Sequence, residues 1–211
     1  MCGGRYEQWE SPRHLLQVNG EEIVARTIRL LRENGVKDIA ISAENPSFEK
    51  FGLPVLKHKN TYVSRGSDSD GDWTDAFYPT DEPTCYIFGD VIFSPEAIRK
   101  IVETETNDAE LFGSAPPYGK NYPKPWPEPF ALKVEDTNHL KQAIKDCKRY
   151  EEAGLFWRKP IAWELWTVIK DGELTETPDV YKLNYTIIND YTCDIDGKKD
   201  IPLIEKMLLD D

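Results

Sequence analysis

A chain of 211 residues has the size of one domain or a tight pair, and 39% hydrophobic residues with six Trp and ten Tyr argue against disorder over its whole length. Lys and Arg number 26 against 38 Asp and Glu, a formal charge of -12, which disfavours a general nucleic-acid binder because such affinity rests on cations against phosphates. A small anionic ligand remains compatible, since local amides, a few basic side chains and a metal can outweigh a distant negative surface.

In chain order, the first strong signal is a helix between Glu21 and Asn34. Ile23, Thr27, Leu30 and Leu31 share one face at helical spacing, and Asn34-Gly35 supplies the stop. Val36 to Ser42 reads as a strand, so helix, stop and strand form the second half of a βαβ unit and the sheet is expected to be at least partly parallel. Pro54 to His58 and Thr84 to Phe88 are further strands, the second a nearly continuous apolar run. Between them, Ser64 to Asp75 reads as an acidic loop. Its Asp68-Ser69-Asp70-Gly71-Asp72 run lacks the Gly position and terminal Glu of a calcium-binding EF-hand loop.

Pro95 opens a helix with Ala97, Ile98, Ile101 and Val102 on its apolar face. Leu111 to Ala115 and Phe130 to Val134 are strands. Pro116 to Pro129 holds six prolines and reads as a long loop, a lid or substrate-facing segment rather than a domain linker. Thr137 is the expected N-cap of a helix reaching Glu152 with Leu140, Ile144 and Cys147 inward. Pro160 to Ile169 is ambiguous between helix and strand, Tyr185 to Ile195 is β-rich, and Ile201 to Leu209 is a closing amphipathic helix. The alternation predicts a single α/β domain over residues 1–211, a three-layer α/β/α sandwich with a mixed, mostly parallel sheet. Cys2, Cys85, Cys147 and Cys193 are far apart without a CxxC pair; reduced thiols in a cytoplasmic protein are expected, with no signal peptide and no apolar run of about 20 residues.

Chemistry in such sheets gathers at the carboxyl ends of strands. Gly3 and Gly4, followed by Arg5, form a turn whose amides could approach a phosphate; the alternative is an ordinary tight turn. Asp90 follows Gly89 at the end of an apolar strand, where a carboxylate needs a cleft, a hydrogen-bond network or a cation. Asp194 and Asp196 alternate along an extended segment, so both can address one site with the hard oxygen ligands that suit Mg²⁺; the alternative is a solvated acidic turn.

Taken as an ordered set, these segments resemble the nucleotidyltransferase family that includes sugar-phosphate nucleotidylyltransferases and phosphocholine cytidylyltransferases. The set comprises the Gly-rich turn, Arg13-His14-Leu15-Leu16, the helix after Asn19-Gly20-Glu21-Glu22, Gly35-Val36-Lys37-Asp38-Ile39, Ile87-Phe88-Gly89-Asp90-Val91-Ile92-Phe93 and Asp194-Ile195-Asp196-Gly197. It is clearest over residues 2–42, 84–102 and 191–207. The resemblance implies a Rossmann-like fold that joins an NTP to a phosphorylated acceptor, a sugar phosphate or phosphocholine-like molecule, with release of pyrophosphate. It implies Gly3, Gly4, Arg5 and Gln8 at the nucleotide, Arg13 against the phosphates, and Asp90 and Asp196, with Asp194 second to them, on Mg²⁺. No membrane or nucleic-acid partner is implied. The chain departs from the family at Tyr6, where a second Gly is usual, at Gln8, where an Arg is usual, and at Arg13, where the usual residue is Lys.

A further departure concerns the first strand, which in the family precedes the Gly-rich turn and runs through the middle of the sheet. Here it is missing or truncated, and an added short apolar N-terminal strand is expected to raise the melting temperature. For the acceptor, Lys120, Lys124 and Arg158 are phosphate candidates and Trp126, Trp163 and Trp166 stacking candidates, with Glu128 and Glu164 behind them; for each, surface charge or core packing is the more common role. Alternatives to the enzyme are a nucleotide-binding protein of the same fold without turnover, and a glycosyltransferase using Asp194-Ile195-Asp196 as an Asp-x-Asp metal motif.

Overall fold

The computed structural model describes residues 1–2, 12–58, 73–115, 126–177, 179 and 182–209. Strands β1 (Gln17–Val18) and β2 (Glu21–Glu22) pair antiparallel through Asn19 and Gly20, both at positive φ, as an Asn-Gly hairpin turn requires. Helix α1 (Ile23–Glu33) follows and buries Ile23, Thr27, Leu30 and Leu31, the predicted face. Of the predicted strand Val36 to Ser42 only β3 (Ile41–Ser42) is laddered, in parallel with β4 (Val55–Leu56).

The main sheet is built from β5 (Thr84–Ile87), β7 (Ala109–Ser114), β8 (Pro129–Val134) and β9 (Thr186–Ile188) in the order β5-β8-β7-β9. β8 runs antiparallel to both neighbours, and only β7 with β9 is parallel. The sheet is thus parallel only in part, a correction to the expectation of a mostly parallel one. β7 and β8 follow one another among the described strands and pair antiparallel, as strands that neighbour both in sequence and in a sheet commonly do.

Helix α2 (Pro95–Glu103) is capped by Ser94, whose Oγ accepts the Ala97 N–H at 2.8 Å. Helix α3 (Thr137–Glu152) is capped by Asp136, which accepts from Asn138 and His139, rather than by Thr137; the carboxylate satisfies two of the first turn's unpaired amides. The ambiguous segment is helix α4 (Ala162–Asp171), buried from Ala162 to Ile169. A helix that is apolar all round carries no stripe for periodicity to detect. Strand β10 (Cys193–Asp194) pairs antiparallel with β6 (Val91–Ile92), and α5 (Ile201–Leu209) closes the chain. α1 packs on α2, and α3 on α4, giving the layered α/β/α, Rossmann-like arrangement.

Met1 and Cys2 lie between β3 and β5: Cys2 bridges Ala43 in parallel and donates to the Ser42 carbonyl at 2.7 Å, while Met1 donates to the Ile87 carbonyl at 2.6 Å and accepts from Gly89 at 2.8 Å. Two residues therefore join the two sheets. Gly89 is required there, because a Cβ would lie 2.6 Å from the Met1 carbonyl and closer still to the Cys2 sulfur. Gly89→Ala is expected to cost about 1–3 kcal/mol by overpacking, read as a lower melting temperature; an unchanged one would show that Met1–Cys2 can move aside freely.

Candidate active site

The acidic residues are assembled by the β6–β10 pairing. Asp194 stands opposite Val91, and Ile195 donates its N–H to the Asp90 carbonyl at 2.9 Å. Asp194 and Asp196 therefore share one face of the extended segment, while Asp90, opposite Ile195, falls out of phase with them. The strand is anchored on its other side by a polar network: Ser94 Oγ donates to Asp190 at 2.6 Å, Thr192 Oγ accepts the Ser94 N–H at 3.0 Å, and Arg26 of α1 bonds the Phe93 carbonyl and the Tyr191 hydroxyl. After Asp196 the turn is held by Asp200, which accepts from the N–H groups of Asp196 and Gly197.

Arg13 enters from the short 3₁₀ turn Arg13–Leu15. Its guanidinium forms an ion pair with Asp90, reaches Asp196 at 3.7 Å and donates to the Ile195 carbonyl at 3.2 Å. The Asp90 carboxylate holds the guanidinium still more firmly protonated, against the effect of burial, and Asp194, Asp196 and Glu128 add to it.

The carboxylates that converge are Glu128, Asp194 and Asp196, one oxygen of each lying within 4.8 Å of the others. Asp90 stands with Arg13 rather than in this trio. Oxygens on one Mg²⁺ lie up to about 4.2 Å apart, twice the usual metal–oxygen distance of roughly 2.1 Å, so small side-chain rotations would close the trio onto one ion. Hard, anionic oxygen donors on a buried Asp194 and an open Asp196 fit a hard divalent cation. Glu128, an acceptor-side candidate in the sequence, stands here with Asp194 and Asp196. It arrives because β8 returns beside β7: Glu128 donates its N–H to Ser114 Oγ at 2.9 Å, and Ser114 donates to the Glu128 carbonyl at 2.9 Å.

Next to Arg13, His14 is buried against the edge of Phe48. Burial pushes its imidazole down to about 3, an effect that nearby Asp90 only partly offsets. The unfolded chain takes up this proton near the ordinary value of about 6.5. Between those values the unfolded state binds more protons, so stability is expected to fall as pH drops through this window, by roughly 1.4 kcal/mol per pH unit. Urea midpoints followed from neutral to acidic pH should show a shallower decline in His14→Phe than in the parent; parallel curves would exclude a buried neutral imidazole.

Gly3, Gly4, Arg5, Tyr6 and Gln8 lie outside the described residues, as do Lys120, Lys124 and the acidic run Asp68–Asp72. Three acceptor candidates belong to the core instead. Trp163 and Trp166 are 4% and 1% exposed, Trp166 donates to the Asn184 carbonyl at 2.9 Å, and Arg158 is paired with buried Glu164 at 2.8 Å. Trp126 is exposed and donates its indole N–H to Glu128 at the rim of the carboxylate trio.

No family model matches this sequence, and no curated protein matches it. Solved structures do. A Bacillus anthracis protein assigned as a glucose-1-phosphate thymidylyltransferase, crystallised with sucrose, superposes with a TM-score of 0.61 over 95% of this chain and 88% of its own, at 14% identity. CTP:phosphocholine cytidylyltransferase from Streptococcus pneumoniae superposes with a TM-score of 0.51 over 94% of this chain and 90% of its own, at 16% identity. The chain has the nucleotidyltransferase-type α/β fold. Among the described residues, no helix is long and apolar enough to cross a membrane.

Proposed function

We propose that this protein is a Mg²⁺-dependent nucleotidyltransferase that joins an NTP to a small phosphorylated acceptor. The observation that carries the reading is the convergence of Glu128, Asp194 and Asp196 beside Arg13, in a fold shared with a thymidylyltransferase and a cytidylyltransferase. Asp194 and Asp196 would hold the cation with Glu128 beside them, and Asp90 would aim Arg13 at the phosphates. Bound Mg²⁺ supplies positive charge to the triphosphate and to the departing pyrophosphate.

An acceptor phosphate oxygen forms the new bond to the α-phosphorus as the bond from that phosphorus to the bridging oxygen breaks, and pyrophosphate leaves with the electron pair. The nucleophile is already anionic, so no general base is needed; positioning and charge compensation supply the rate. Gly3, Gly4, Arg5 and Gln8 are the proposed nucleotide-facing turn. A cytoplasmic setting suits the NTP substrate.

The test is pyrophosphate release from each NTP with Mg²⁺ and a panel of sugar phosphates and phosphocholine. Release that requires one acceptor supports the proposal. Metal-dependent NTP binding without release would assign a binding protein, and transfer from a nucleotide-sugar a glycosyltransferase.

A further inference from the structure

The ladder between β7 and β8 is regular from the Ala109–Val134 pair to the Phe112–Ala131 pair and then slips: Gly113 stands opposite Pro129, so Phe130 is an extra residue on β8. A one-residue slip carries everything beyond it to the other face of the sheet. In continued register Glu128 would stand opposite Ala115, on the face of Leu111 and Gly113. In the slipped register it stands opposite Ser114, to which its backbone is bonded, and shares the face of Glu110 and Phe112. The extra residue is held from its other side. The Phe130 carbonyl accepts the Phe88 N–H at 3.0 Å, and its fully buried ring meets that of Phe93 edge-on, with centroids 6.3 Å apart.

The slip needs a residue without a side chain at 113, because a Cβ there would lie 2.7 Å from the Glu128 carbonyl. Beyond it Ser114 grips both peptide groups of Glu128. Its N–H donates to the Glu128 carbonyl and its Oγ accepts the Glu128 N–H, each at 2.9 Å. The Ser114 carbonyl, which a regular ladder would offer to that N–H, accepts the Tyr185 hydroxyl at 2.8 Å instead. Ser114 is buried and Tyr185 nearly so, so the hold is sheltered from water. The Glu128 carboxylate in turn accepts from the exposed Trp126 indole.

We propose that Ser114 is a positioning residue for the divalent cation: beyond the bulge at Phe130 it fixes the peptide of Glu128 so that this carboxylate joins Asp194 and Asp196 as a ligand. The inference rests on the metal reading above and deepens it. Asp194 and Asp196 belong to one extended segment and share a face by alternation alone, whereas Glu128 comes from a different sheet and meets them in the slipped register. A ligand from a separate element adds affinity to the extent that its backbone is held in advance. Tyr185 supports Ser114 in the same role, one hydrogen bond further from the carboxylate.

The test is a calorimetric titration of the intact protein with MgCl₂ alone, without nucleotide or acceptor. Ser114→Ala is expected to weaken Mg²⁺ binding roughly 3–10-fold, and Glu128→Gln by about tenfold or more through loss of an anionic ligand. On the Glu128→Gln background, Ser114→Ala should weaken the binding no further, because a residue that acts through Glu128 then has nothing left to act on. A serine that merely supports the fold would lower the affinity equally in both backgrounds. Tyr185→Phe gives a second entry to the same cycle should Ser114→Ala fold poorly, with the same dependence on Glu128. Parental Mg²⁺ affinity in Ser114→Ala and Tyr185→Phe, or an equal loss with and without the Glu128 carboxylate, would overturn the role of Ser114 and leave the metal site standing. A parent protein that binds no Mg²⁺ would overturn the metal reading and this inference together.

Discussion

Asp196→Asn is expected to lower metal-dependent pyrophosphate release by about 10²–10³-fold while leaving the metal-free melting temperature unchanged or slightly raised. The loss follows from the proposed role: removing one anionic ligand of three weakens the hold on the cation whose charge stabilises the transferring phosphates, and single electrostatic contributors of this kind are worth about that factor. The stability expectation has a different origin. The Asp196 side chain is 48% exposed and reaches Arg13 only at 3.7 Å, a pairing of little net value. Its carboxylate lies within 4.8 Å of those of Glu128 and Asp194, so its neutralisation relieves like-charge repulsion. Added Mg²⁺ should raise the melting temperature of the parent but not of the variant, since only a state that binds the ion gains from it. Retention of near-parental turnover would remove Asp196 from the catalytic set, whatever the melts show.

Arg158→Met is expected to be the most destabilising of these substitutions, by about 3–5 kcal/mol. Arg158 and Glu164 are 9% and 2% exposed and bonded at 2.8 Å, and the second carboxylate oxygen of Glu164 accepts the Ile161 N–H at the start of α4 at 3.0 Å. Deleting the guanidinium leaves a charge in the interior without its counter-ion, the costly half of breaking a buried pair. For a chain of this length each kcal/mol corresponds to about 2–4 °C, so the melt should move down by roughly 6–20 °C. The double variant Arg158→Met with Glu164→Gln keeps an acceptor for Ile161 and removes the charge, and should recover much of the loss. Identical melts for the single and double variants would show that the stranded carboxylate is not the cause.

That pair shows what the sequence leaves open. Arg158 is a candidate phosphate contact and Trp163 and Trp166 candidate stacking surfaces, with surface charge or core packing as the stronger alternative, because nothing local distinguishes a ligand-facing ring from a core ring. Once α4 forms, both indoles are buried against β7, β8 and their neighbours, and Arg158 is needed where it can neutralise Glu164. Asp194 and Asp196 were legible for the opposite reason: alternation in an extended segment is local, and it places both on one face whatever the partner strand. Their third partner was not, since Glu128 sits in a proline-rich stretch whose position depends on how β8 returns beside β7.

By itself the sequence determined the α/β alternation, the buried faces of α1 and α2, and the common face of Asp194 and Asp196, because helical and strand periods and glycine stops are properties of neighbouring residues. Only the tertiary structure decided that Arg13 clamps Asp90 and reaches the Ile195 carbonyl across a separation of 182 residues. It likewise decided that the sheet is parallel only in part, and that two residues at the chain's start join its halves. Those outcomes rest on strand order and register, which are fixed by which edges and apolar faces can be satisfied together and are written in no single stretch of the chain.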